Sequence, residues 1–187
     1  MTVSRETRDR LDIFAECLKR WNGTINLVSF RDDADLWARH IDHGIAVGCC
    51  LEEWPGDVAD LGSGAGIPGL VAAITSGRHI SLIESDRRKC AFLIEAARLT
   101  QANVTVVPAR VEQAALTSLA VVMARALAPL DRLLALAAPL LRPDGVCLLL
   151  KGSAVQDELA AAERVFSFSH RTLSPGLLCI SDVRSLA

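Results

Sequence analysis

The stretch VADLGSGAGIPG, residues 58–69, decides the fold. A short apolar run ends in Asp60, and Gly62, Gly64, Gly66 and Gly69 then take four of the chain's twelve glycines. An ordered glycine gives up more conformational entropy than any other residue. Such a concentration marks a turn that something approaches too closely for side chains.

The sequence around this turn alternates in texture. Apolar runs at 57–62, 79–85, 104–109, 119–126 and 145–152 are separated by the helix-like segments GIPGLVAAITS, DRRKCAFLIEAARLTQA, ARVEQAAL and APLDRLLALAAPLLRP. Continuous apolar strands separated by helices predict a parallel sheet covered on both faces. SAVQDELAAAERVF supplies a further helix and HRTLSPGLLCISDV a final hairpin. Upstream, residues 4–22 read as an amphipathic helix with Ser4 as N-cap and Leu11, Phe14 and Leu18 on one face. A second helix is expected over 33–50, after a loop WNGTINLVSFRD rich in turn residues. The expectation is an α/β fold, a doubly wound, mostly parallel sheet. Residues 1–52 form a helical cap packed on the core, and 53–187 form the ligand-binding domain.

Composition narrows the class. The 187 residues are 51% hydrophobic, yet no apolar run approaches the ~18 residues of a membrane span. The charged N-terminus has no signal-peptide core, so a cytoplasmic protein is expected. Six cysteines without a CxxC pair or histidine partners read as reduced, buried thiols, and no metal site is expected. The formal net charge of -2 weighs against binding naked nucleic acid over the whole surface. Contact with RNA would need a local basic patch or help from another protein.

In a doubly wound sheet the ligand sits beyond the carboxyl ends of the strands, at the switch point. Two ligands compete for the glycine turn. GAGIPG (64–69) fits the GxGxxG dinucleotide pattern, which is weak alone. DLGSGAG (60–66) fits D-x-G-x-G-x-G, similar to the first motif of Rossmann-like class I methyltransferases that bind S-adenosylmethionine. Asp60, Gly62, Gly64 and Gly66 then form the donor cradle. Glu84, 22 residues beyond Gly62, falls close to the ~20-residue spacing of a ribose-binding acid. Each hydroxyl bond to such a carboxylate contributes about 1.5–3 kcal/mol.

The acceptor atom is read from what the chain lacks. RALAPL (125–130) stands where amino-nitrogen methyltransferases carry a polar-Pro-Pro-aromatic motif, and no cysteine neighbours a proline as cytosine C5 chemistry requires. A nitrogen with a free lone pair, such as guanine N7, needs no general base. Alignment then supplies on the order of 7–11 kcal/mol. No catalytic acid or base is expected.

WNGTINLVSFRD, RHI (39–41), DLGSGAGIPG, ARVEQ (109–113), MARALAPL (123–130) and LLKG (149–152) together resemble the RsmG (GidB) family of bacterial 16S ribosomal RNA guanine-N7 methyltransferases. The resemblance implies S-adenosyl-L-methionine as cofactor, S-adenosyl-L-homocysteine as product, and a guanine in the decoding-region loop as target. It implies donor contacts at Gly62, Ile67, Val111, Glu112 and Arg125. Val111 and Glu112 would offer backbone groups to the adenine edge, and Arg125 a cation to the methionine carboxylate or a phosphate. Asn26, Arg39, His40 and Lys151 would surround the open end of the cleft. RNA contact would fall to Arg87, Arg88, Lys89, Arg31, Arg39, Arg110 and Lys151, with the 16S RNA presented in a small-subunit particle or assembly intermediate to a monomeric enzyme. RHIDHG (39–44) departs from the family's RHIxDS, and the C-terminus lacks an expected Arg-His pair. A small-molecule N-methyltransferase, a nicotinamide-dependent oxidoreductase and a non-catalytic donor sensor are the competing readings.

Overall fold

A computed structural model describes residues 3–186. Helix α1 (Arg5–Asn22) starts where expected, with the Ser4 side chain accepting from the Thr7 N–H. Its apolar stripe of Leu11, Phe14 and Leu18 is fully buried. Asn22 closes the helix onto the next loop: its Oδ1 accepts from Leu27 and Val28, and its amide donates to the Val28 carbonyl.

The helix expected over 33–50 is three pieces on one path. Helix α2 (Asp33–Leu36) runs into a π-turn over Trp37–Ile41, which continues as α3 (Asp42–Cys50). At the π-turn the Asp42 N–H reaches back to the Trp37 carbonyl, one residue further than in an α-helix. RHI, the segment carrying Arg39 and His40, lies inside this widened turn.

Strands β1 (Val58–Leu61), β2 (Ile80–Ile83), β3 (Val104–Val107), β4 (Leu119–Arg125) and β5 (Leu141–Leu150) are parallel. Between β1 and β2 lies α4 (Gly69–Ser76), between β2 and β3 lies α5 (Arg87–Thr100), and between β4 and β5 lies α6 (Leu130–Ala137). After β5 come α7 (Val155–Ala162) and the hairpin of β6 (Phe166–Ser174) and β7 (Leu177–Ser185). The hairpin adds antiparallel strands to the β5 edge, giving the order β3-β2-β1-β4-β5-β7-β6. The order reverses between β1 and β4, so the crevice for a ligand opens beyond their carboxyl ends.

Two expected helices are shorter than the sequence suggested. ARVEQAAL forms only a 3-10 turn over Val111–Gln113. Of its apolar side chains only Val111 is buried, too little to offset the cost of helix nucleation. The helix after β4 ends in a 3-10 turn at Ala138–Leu140, and LRPD joins β5. Of the cysteines, Cys17, Cys90, Cys147 and Cys179 are buried, but Cys49 is exposed at the end of α3.

One face of the sheet packs against α1, α3, α4 and α5, and Phe14 meets Phe92 of α5 at 6.4 Å between ring centroids. The other face packs against α6 and α7. The crossing of α3 over α4 is unusually close. A Cβ on Gly44 would lie 2.6 Å from Val71 Cβ, and one on Gly48 would lie 2.9 Å from Thr75 Cβ and 3.1 Å from Ala72 Cα. The glycines, one helical turn apart, let backbone meet backbone.

Gly44→Ala puts two effects in competition. Alanine favours a helix interior by about 1 kcal/mol, whereas overpacking costs about 1–3 kcal/mol. Val71 Cβ is carried by the α4 backbone and cannot swing aside, so net destabilisation is expected in urea unfolding. A variant more stable than the parent would contradict this account of the crossing.

Candidate functional site

The glycine turn is bound to the sheet from below at three points. The Ser63 N–H donates to the Ile83 carbonyl, and its hydroxyl to the Asp60 carbonyl, both at 3.0 Å. The Gly69 N–H, at the start of α4, donates to Asp60 Oδ2 at 3.0 Å. A Cβ at Gly69 would fall 2.5 Å from that same oxygen. Above, the Gly64 N–H donates to Glu84 Oε2 at 2.9 Å, while Glu84 Oε1 accepts from the Asp86 N–H at 2.8 Å. Gly62 has φ +69°, a left-handed conformation, and a Cβ there would sit 2.6 Å from Leu127 Cδ1. The peptide surface of the turn is therefore bare where it faces the chain segment after β4.

This bare surface forms one wall of a cavity of about 270 Å³ lined by Gly62, Gly64, Glu84, Lys89, Arg110, Val111, Glu112 and Leu127, among others. Five of the nine expected donor residues converge here: Gly62 and Gly64 after β1, Glu84 after β2, and Val111 and Glu112 after β3. Gly66 and Ile67 are buried behind the wall. Asp60, expected as a donor contact, is 1% exposed and lines neither this cavity nor its neighbour. It braces the turn from inside the core instead. Burial pushes its carboxyl up to about 7, with the Gly69 bond pulling the other way. Its Oδ1 is buried without a partner, which costs less for a neutral acid than for an anion.

Arg125, the remaining expected donor residue, lies at the end of β4 in an adjoining, larger cavity of about 680 Å³. Ala126 and Leu127 line both cavities and form the boundary between them. Arg39, His40, His43, Pro129, Lys151 and Glu158 line the larger one. His40 is buried, and its Nε2 lies 3.0 Å from the Ser29 carbonyl, which only accepts, so Nε2 carries the proton. Nδ1 then accepts from Arg125 Nη2. Burial, with Arg125 and Arg39 nearby, lowers the His40 pKa and keeps the ring neutral. Arg125 Nη1 is buried without a partner, a cationic donor waiting for an acceptor. Lys151 Nζ donates to Glu158 Oε2 at 2.6 Å and to the Ala128 carbonyl at 3.2 Å.

The remaining expected RNA-facing residues do not gather in one place. Asn26 lines a groove of about 430 Å³ with Asp86, Arg88 and Lys89. Lys89 also lines the smaller cavity, so groove and cavity adjoin, and exposed Arg87 stands beside them at the start of α5. Arg31 and Arg39 both pair with Asp35, a buried carboxylate held below its usual range by the Arg31 N–H and side chain. Sequence reading missed His43 and Glu158. His43 fell in the segment that departs from the family pattern, and Glu158 comes near Lys151 only through the return of α7. Among the described residues no cluster of His, Cys, Asp and Glu is arranged to hold a metal, and no helix is long and apolar enough to cross a membrane.

The strand order, with a bare crossover after β1 and an acid after β2, is that of a class I, Rossmann-like methyltransferase. Solved structures of low identity share the fold. A methyltransferase from Geobacter sulfurreducens superposes with a TM-score of 0.62 at 12% identity, covering 94% of this chain and 89% of that one. A tRNA methyltransferase from Aquifex aeolicus gives 0.57 at 14% identity, covering 93% and 76%. Residues 7–180 match the rRNA small subunit methyltransferase G (GidB) family, and the chain belongs to it. The ribosomal RNA small subunit methyltransferase G of Gluconobacter oxydans is 51% identical over 98% of this chain and 97% of its own length. That of Paramagnetospirillum magneticum is 47% identical over 89% and 82%.

Asp60 has a measurable consequence. Its carboxyl titrates near 7 when folded, against an ordinary value of 3.8. Between these values the folded state holds a proton that the unfolded state has released, so stability falls as pH rises, by up to about 1.4 kcal/mol per pH unit. Below about 4 and above about 7 this contribution is flat. Asp60→Asn keeps an oxygen for the Gly69 N–H and removes the titration. The variant is expected to gain stability relative to the parent as pH rises through that window in urea unfolding, and parallel curves would overturn the assignment.

Proposed function

We propose that the protein transfers a methyl group from S-adenosyl-L-methionine to N7 of a guanine in the decoding-region loop of 16S ribosomal RNA. The observation that carries this reading is the pair of adjoining cavities meeting at Ala126–Leu127, in a chain of this family. The smaller fits the donor and the larger a nucleotide.

The residues of the smaller cavity suit the donor. The bare face of Gly62 and Gly64 admits a flat nucleoside, and each Glu84 oxygen, already holding one backbone N–H, keeps a lone pair for a ribose hydroxyl. Val111 and Glu112 offer backbone groups to the adenine. From across the Ala126–Leu127 boundary, in the larger cavity, Arg125, oriented by neutral His40, offers its unpaired Nη1 to the methionyl carboxylate. When bound, S-adenosylmethionine supplies an electrophilic methyl: its S–CH3 bond breaks as the N7 lone pair forms the new N–C bond, and the positive charge passes from sulfur to the purine. No proton moves in that exchange. The chain's residues therefore act by holding two partners in line, which is where most of the rate comes from.

Asn26, Arg88 and Lys89 form the groove leading to the donor cavity, and with Arg87 they provide a local basic surface for RNA. Arg39 and Lys151 in the larger cavity, Arg110 in the smaller one and Arg31 beside Asp35 are the other cations of this reading, each at its own place. A chain of net charge -2 is suited to RNA already partly neutralised by protein, as in a small-subunit particle or its assembly intermediate. We take the enzyme to act as a monomer, with residues 1–52 as a cap on the 53–187 domain.

The test is methyl transfer from labelled donor to unmethylated small subunits, followed by nucleoside mass spectrometry. N7-methylguanosine is the expected product, and label in another nucleoside or in small metabolites would overturn the reading. Replacing Arg87, Arg88 and Lys89 together by Ala is expected to weaken RNA methylation and to reduce its salt slope by ~1 for every phosphate these side chains neutralise. S-adenosylhomocysteine binding, followed by calorimetry, should survive the paired change of Arg87 and Arg88 to Ala, which leaves Lys89 in place on the wall of the donor cavity. Unaltered kinetics on ribosomal RNA would remove these three residues from the interface.

A further inference from the structure

Adenine and guanine both carry N7, so an enzyme acting on that atom must recognise the base elsewhere. The two purines differ most on the edge farthest from N7. Guanine presents two donors there, N1–H and the 2-amino group, whereas adenine presents an unprotonated N1. A guanine whose N7 faces the donor cavity turns these two donors toward the opposite side of the larger cavity.

The sheet places a suitable acceptor on that side. The donor cavity lies over the ends of β1, β2 and β3, the boundary follows β4, and Lys151 and Glu158 follow β5. Glu158 is the single acidic side chain among the residues lining the larger cavity. Its Oε2 accepts two hydrogen bonds, from the Leu130 N–H at 2.9 Å and from Lys151 Nζ at 2.6 Å. Both end on the same oxygen, so Oε1 is left with its lone pairs while the side chain is held in one orientation. One oxygen thus serves both Lys151 and the buried Leu130, and the other is uncommitted. A fixed carboxylate in a nucleotide-sized cavity rich in cations has a further use.

We propose that Glu158 determines the base specificity of the site, with Oε1 accepting from the N1–H and 2-amino edge of the target guanine. This inference rests on the guanine-N7 reading above. Adenine is rejected because its N1 lone pair meets the carboxylate oxygen. Methyl transfer leaves the purine positively charged, which makes N1–H a stronger donor, so the contact strengthens as the reaction proceeds. Its loss falls on kcat more than on KM.

Glu158→Gln gives a sharp test. The Leu130 N–H and Lys151 are both donors, so the amide oxygen must take the Oε2 place and the NH2 group the Oε1 place. A donor then faces the guanine donors. Rates are measured for the parent and variant on reconstituted small subunits carrying guanosine or inosine at the modified position; inosine keeps N7, O6 and N1–H but lacks the 2-amino group. The parent is expected to prefer guanosine by roughly tenfold or more in kcat/KM. In the variant, kcat on guanosine drops and the preference approaches one. Each ratio is taken within one protein, so partial loss of folded variant cancels. A parent that accepts inosine equally well, or a variant that slows on both substrates by the same factor, overturns the proposal. A parent that binds S-adenosylhomocysteine but methylates no guanine N7 overturns the reading beneath it, and this inference falls with it.

Discussion

The site depends on a contact with no room for a side chain: the Gly69 N–H against Asp60 Oδ2, at a position where a Cβ would lie 2.5 Å from the oxygen. This bond ties the start of α4 to the strand that precedes the turn, so residues 62–68 close into a compact loop. The loop then presents bare peptide upward to Glu84 and the cavity. A buried carboxyl is an expensive anchor. It fixes the loop from beneath, leaving the upper surface free of protein groups that would compete with a ligand.

Much of this was legible in the sequence, for identifiable reasons. Parallel strands buried on both faces appear as unbroken apolar runs, as in β1, β4 and the second half of β5. Even the half-buried edge strand β3 keeps an apolar run, so β1 to β5 could be placed from the pattern. The spacing from the glycine turn to Glu84 reflects the length of one helix crossover, and the structure does bring the two together. Asp60 was legible as part of the motif but not as to its direction, because neighbouring strand residues point to opposite faces and a motif does not say which face meets the ligand. ARVEQAAL had helical spacing but too little buried apolar surface to hold a helix.

The larger cavity was harder to read. His40 and Arg125 are separated by 85 positions in sequence and meet where a π-turn carries the RHI segment past the end of β4. Nothing in a hydrophobic period announces such a turn. Glu158 lies in an amphipathic helix among other acids, and its neighbours Leu130 and Lys151 come from two different crossovers. Residues brought together by topology rather than by local pattern are those that only coordinates reveal. The same holds for the division of labour along the sheet edge, where β1 to β3 serve one cavity and β4, β5 and α7 the other.

The glycine crossing of α3 over α4 has a mechanical consequence. The first helix follows directly from the turn that carries His40, and the second starts at the floor of the glycine loop. Where two helices touch through backbone, no pliable layer lies between them to absorb a displacement, and close-packed protein transmits strain with little loss. The pair is therefore a single stiff unit that joins the turn carrying His40 to the floor of the glycine loop.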